Sequence, residues 1–138
     1  MEKLLKIPYN VFYDWDLLQQ FLERRGNPKY ELVGDVDLSY KKDIFDLDNL
    51  VRVDGKLDLF KTSIQSLGNL EYVGGYLDLV GTPIQSLGNL EYVGGYLDLR
   101  NTPIQSFGNL KYVGGGILLS DGSEIPEEQL TKFKFNNY

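Results

Sequence analysis

The chain has 138 residues, 42% of them apolar, and a formal net charge of −6 at pH 7. It contains no cysteine and no histidine, which excludes a disulfide scaffold, a thiolate metal site and an imidazole base. The acidic balance argues against direct nucleic-acid binding, which needs a basic surface, and the length fits one domain over 1–138.

Residues 1–34 read as an N-terminal cap. The opening stretch, MEKLLKIPYNVFYDWD, has no long apolar run and soon turns acidic, so neither a signal peptide nor a membrane span is expected. A soluble, cytoplasmic protein is the expectation. Residues 1–13 carry no regular pattern. Residues 14–25, DWDLLQQFLERR, predict an amphipathic helix with Trp15, Leu18, Phe21 and Leu22 on one face. Asp14 suits the N-cap, and Tyr13 and Leu18 are spaced for a hydrophobic staple. Arg24 and Arg25 sit where the helix dipole favours cations, and Gly26 can end the helix. A solenoid end needs such a cover, because it exposes core and an unpaired strand edge.

Residues 35–120 are repetitive. Three copies of a twenty-residue phrase run from 57 to 116: LDLFKTSIQSLGNLEYVGGY, LDLVGTPIQSLGNLEYVGGY and LDLRNTPIQSFGNLKYVGGG. A looser copy at 36–56 precedes them, and a truncated one at 117–125 follows. A fixed period of this length means a solenoid, since one unit cannot bury its apolar side alone. Each unit predicts one short strand at the L-D-L step, at 36–38, 57–59, 77–79, 97–99 and 117–119. Alternation turns the leucines inward and the middle residue outward. Pro83 and Pro103 fit the following turn. Ile64/Ile84/Ile104, Leu67/Leu87/Phe107, Leu70/Leu90/Leu110 and Val73/Val93/Val113 predict further inward columns. The Gly-Gly pairs 74–75, 94–95 and 114–115 predict a sharp turn into the next strand. Like residues then stack roughly 4.8 Å apart, the strand spacing. The expected architecture is a right-handed parallel β-solenoid of about five coils with one parallel sheet. Residues 121–138 predict a C-terminal cap, with a short helix from Pro126 and Leu130, Phe133 and Phe135 over the last coil.

The phrase L-x-L-x-x-T-x-I-x-x-L-x-x-L-x-x-V resembles the leucine-rich repeat, with Leu97, Leu99, Thr102 and Ile104 in its key places. The V-G-G-Y-L link is similar to the variant in receptor L domains. That resemblance implies a curved solenoid whose sheet lines a concave, protein-binding face, and a family whose members are seldom enzymes. Thr62, Thr82 and Thr102 stand where the family has asparagine, so its usual amide ladder is not expected, and hydroxyls are the candidates for that work. Short runs of such repeats behind an RRGNP-type helix also resemble proteins encoded by tailed phages, which implies a host-cytoplasmic setting.

The outward residues Asp37, Asp58, Asp78 and Asp98 predict a row of four carboxylates. Adjacent like charges on a sheet destabilise it, so a basic partner, a cation, or water and salt must compensate. The plain alternative is duplication of one acid that also discourages edge-to-edge aggregation. Tyr76 and Tyr96 share the face two residues earlier, where a rigid aromatic with a hydroxyl suits an interface. Tyr72, Tyr92 and Tyr112 predict a second, structural column. The copies differ just after the strand, at Phe60/Val80/Arg100 and Lys61/Gly81/Asn101, along the rim of that face. An enzyme is not expected: the aspartates repeat one environment, so nothing separates their pKa values, and no nucleophile, phosphate-loop or metal-ligand motif appears. No cofactor is expected.

The functional expectation is a monomeric, non-catalytic binding module. Asp37, Asp58, Asp78, Asp98, Tyr76, Tyr96, Phe60, Val80 and Arg100 would engage a basic patch of another protein, with no direct nucleic-acid or membrane partner. In the phage setting the partner would be a host defence or nucleic-acid-handling protein. The alternatives are a structural spacer or self-assembling element, and a cation-stabilised module.

Overall fold

A computed structural model describes residues 4–11, 14–121 and 135–137. The described residues form a parallel β-solenoid of about four turns with two parallel sheets and one short α-helix. The first sheet contains β1 (Leu5–Pro8), β2 (Tyr30–Val33), β4 (Leu50–Val53), β6 (Tyr72–Val73), β8 (Tyr92–Val93) and β10 (Tyr112–Val113), side by side in that order. The second contains β3 (Val36–Asp37), β5 (Leu57–Asp58), β7 (Leu77–Asp78), β9 (Tyr96–Asp98), β11 (Gly116–Leu119) and β12 (Phe135–Asn137). The five L-D-L steps are the first five strands of the second sheet. Five stacked strands enclose four turns, so the expected five coils counted strands.

The expectation of one sheet is corrected to two. The Tyr-Val steps pair in register, Tyr72 with Tyr92 and Tyr92 with Tyr112, as regularly as the Leu-Asp steps do. Each is only two residues long, too short to show a period of two. Every expected inward column is buried, from Leu57, Leu77 and Leu97 to Val73, Val93 and Val113. The core is therefore one continuous set of stacked aliphatic columns between two sheets and a third, turn-rich side.

Glycine pairs form the corner between the sheets, for a different reason from the one expected. Gly94 has no positive φ. A Cβ there would collide with the carbonyl oxygen of Gly74 one coil below, and Gly114 meets Gly94 in the same way. Bonds between coils draw the corners together, with the Gly94 N–H donating to the Val73 carbonyl at 2.9 Å and the Gly95 N–H to the Gly75 carbonyl at 2.9 Å. Close backbone approach, not an unusual dihedral, excludes a side chain.

The N-terminal cap is a β–α–β unit rather than an irregular lead-in. Strand β1 pairs in parallel with β2, and α1 (Trp15–Glu23) crosses between them. Asp14 caps the helix, its carboxylate accepting from the Asp16 and Leu17 N–H groups at 2.9 and 3.1 Å. The helix ends as Gly26 takes φ +78°, and the Asn27 N–H donates to the Leu22 carbonyl at 3.0 Å, the bond that closes a glycine-terminated helix. Trp15, Leu18 and Leu22 are buried and Phe21 is partly so. Tyr13 of the expected staple lies outside the described residues, as do Pro126, Leu130 and Phe133 of the C-terminal cap. Strand β12 covers the outer edge of β11.

Candidate functional site

The aspartate row exists. Asp37, Asp58, Asp78 and Asp98 pair in register on neighbouring strands of the second sheet. Each carboxylate also has a local task that the sequence reading missed. Its Oδ1 accepts the backbone N–H two residues on: Ser39, Phe60 and Val80 at 2.9 Å and Arg100 at 3.2 Å. This is the aspartate turn, in which the side chain stands in for a backbone acceptor and starts the bend after the strand. The signal was present as Asp followed by a turn two residues later, repeated four times.

Burial grades along the row. Asp37 is exposed, Asp58 and Asp78 are half-buried, and Asp98 is only 3% exposed. Desolvation raises the pKa values of Asp58 and Asp78. The N–H groups of Phe60 and Val80 oppose that rise, and neighbouring aspartates add to it. Asp98 is buried because Arg100 lies over it. The guanidinium grips it side-on, Nε to Oδ1 at 2.9 Å and Nη2 to Oδ2 at 2.7 Å. Two residues expected to face a partner separately thus form one internal ion pair. By contrast, no hydrogen bond among the described residues reaches Oδ2 of Asp58 or Asp78.

Tyr76 and Tyr96 flank the row as a stacked pair, centroids 4.9 Å apart and 14° from parallel. Lys56 stands next in that column, its Nζ 5.4 Å from the Tyr76 ring. Burial first, then nearby aspartates, push both hydroxyls above the usual tyrosine value. On the other flank Phe60 meets Tyr40 edge-on at 5.4 Å, and Val80 is nearly buried. The face is thus an aromatic ridge, an acidic trough and an apolar ridge closed at one end by Arg100.

The variable positions 61, 81 and 101 have a backbone explanation. Tyr40, Lys61, Gly81 and Asn101 all hold positive φ, from 53° to 74°, so they form the left-handed corner of the turn. A second column was legible only in part. On the outer face of the first sheet, Lys6, Glu31, Arg52, Tyr72, Tyr92 and Tyr112 run in register. Lys6 and Arg52 flank Glu31 at 3.9 and 3.5 Å, and the Arg52 guanidinium lies 3.7 Å above the Tyr72 ring. The tyrosines then stack at 4.6 and 4.8 Å. The threonines do not bridge coils. Thr62, Thr82 and Thr102 donate within their own coil, to Leu59, Leu79 and Leu99. An amide ladder exists elsewhere, at the D-N-L turn of the first coil and the G-N-L turns after it: Asn49 to the Asn27 carbonyl at 2.6 Å, Asn69 to Asn49 at 2.9 Å, and Asn89 to the Gly68 carbonyl at 3.3 Å.

A cleft of about 660 Å³ lies beside α1, where Gln19, Tyr30, Asp46, Asp48 and Asn49 converge. Its amides and carboxylates include no nucleophile paired with a base. Among the described residues no three carboxylates gather as metal ligands. No described helix is long and apolar enough to cross a membrane.

Fold and face together define a parallel β-solenoid protein with a graded acidic trough between an aromatic and an apolar ridge. No protein-family model matches the chain, and no curated protein or solved structure matches it either.

Proposed function

We propose that this chain is a non-catalytic protein-binding module whose acidic, tyrosine-bearing sheet face engages a basic surface of a partner protein. The observation that carries the reading is the pair Asp58 and Asp78: half-buried, in register, and each with an oxygen that no hydrogen bond reaches. Carboxylates so placed repel one another and gain from an incoming cation. The stacked Tyr76 and Tyr96 rings supply flat, rigid contact area beside them. Asp98 and Arg100 neutralise each other, so the contact centres on Asp37, Asp58, Asp78, Tyr76, Tyr96, Phe60 and Val80. The motif likeness favours a leucine-rich-repeat type of coil, and the phage-like RRGNP segment favours a cytoplasmic host protein as the target.

The test compares wild type with an Asp58/Asp78/Asp98→Asn variant as bait at low and high salt. The reading expects one partner retained by wild type at low salt, released at high salt, and lost by the variant. Retention that ignores both the substitution and salt sinks it.

A further inference from the structure

The repeat supplies an internal template for the missing cation. At Asp98 the site is filled, and the occupant is the Arg100 guanidinium, bound across both carboxylate oxygens. Asp78 and Asp58 repeat that aspartate one and two coils away. Each holds the same turn, with Oδ1 on the N–H two residues later. Each therefore presents the same two-oxygen edge. What differs is the residue in register with Arg100: Val80 and then Phe60, as the bonds from Lys61 to Val80 and from Gly81 to Arg100 show. Neither side chain carries a cation. The fork is thus filled at Asp98 and left open at Asp78 and Asp58, and at the exposed Asp37 beyond them.

We propose that Asp58 and Asp78 are open guanidinium receptors, and that the partner protein inserts arginine rather than lysine side chains there. This rests on the basic-partner reading above. A planar guanidinium can span both oxygens of one carboxylate, whereas an ammonium acts as a point charge. The flanks agree with that choice. Guanidinium planes stack on aromatic rings, and this molecule already lays Arg52 on Tyr72 at 3.7 Å. Tyr76 lies between Tyr96 and Lys56, so the ring face open to an arginine is that of Tyr96 on the side of Gly116, while Phe60 gives an arginine stem apolar surface to lie against.

Calorimetry with hexa-arginine and hexalysine, both end-blocked and at matched ionic strength, tests this on the full chain. Wild type should bind hexa-arginine about tenfold tighter or more, the increment expected when bidentate contacts replace single ones. Val80→Arg should reduce that preference by filling the Asp78 rung from within, as Arg100 fills Asp98, while leaving Asp58 open. Asp58→Asn with Asp78→Asn should remove it, and asparagine keeps the turn-forming oxygen, so the fold is retained by circular dichroism. Equal affinity for both peptides overturns the guanidinium assignment and spares the basic-partner reading. Failure to bind either peptide overturns both. A preference that Val80→Arg leaves undiminished, or that survives the double asparagine variant in full, places arginine elsewhere and also overturns the assignment.

Discussion

At the scale of single residues, two glycines that look alike in the sequence do different work. Gly94 has an ordinary φ but no room, since a Cβ would strike the Gly74 carbonyl. Gly88 has open space but φ +53°. Gly94→Ala must push two coils apart and should cost about 1–3 kcal/mol or more, as overpacking does. Gly88→Ala should cost only the left-handed penalty of about 1–2 kcal/mol, and Gly88→Asn less again. Urea melts of the three variants check the order, and equal losses at Gly94 and Gly88 would refute the close-approach account. The aspartates add a pH prediction. The folded-state pKa values of Asp58 and Asp78 are raised, so the folded chain holds protons that the unfolded chain has already released. Their contribution is most favourable below the unfolded value and is lost as pH rises through the folded one. Asp58→Asn with Asp78→Asn should therefore raise the melting temperature at pH 7, and the gain should shrink towards about pH 4, near the unfolded carboxylate value. A gain that stays flat across that window contradicts the raised values.

At the scale of elements, the helix and the L-D-L strands were legible and the first sheet, with its Tyr-Val strands, was not. Asp14 announced α1 because an N-cap is a local device. Its replacement by alanine orphans two backbone N–H groups and should cost about 0.5–2 kcal/mol, with Asp14→Ser close to neutral by thermal melt. The Tyr-Val strands hid for the opposite reason: a two-residue strand is defined by its neighbours in space, twenty residues away. Their tyrosines were read as a stacked column, and Tyr92 sits inside it between Tyr72 and Tyr112. Tyr92→Ala breaks two stacks and Tyr112→Ala one, at about 0.5–1.5 kcal/mol for each pair. Tyr92→Ala should lower the melting temperature clearly more, and equal effects would show that stacking contributes little. The site was half legible for the same kind of reason. Alternation placed the aspartates outward, but pairing Arg100 with Asp98 depends on side-chain reach across the turn, which the repeat pattern does not encode.

At the scale of the whole molecule, period matters more than any one contact. Each coil touches only its neighbours, so stability is close to a sum over coils and their interfaces. Removing 77–96 joins Tyr76 to Leu97 and restores the phrase Y-L-D-L. Every inward column then closes up by one rung, and Asp58 comes to lie beside Asp98. That shortened chain should fold cooperatively with a lower melting temperature and a smaller urea slope, since less surface is exposed on unfolding. Removing 77–95 instead leaves one residue too many in the join. The coil from Asp37 to Asp58 already carries one residue more than the others, beside a register shift at Tyr30/Glu31, so that chain should still fold but melt below the twenty-residue deletion. The twenty-residue deletion also takes away Asp78 and Tyr96, hence one open rung and the tyrosine stack, while leaving the scaffold whole. It should therefore fold and bind hexa-arginine weakly. A shortened chain that folds and binds as tightly as wild type would mean that the contact does not use this face.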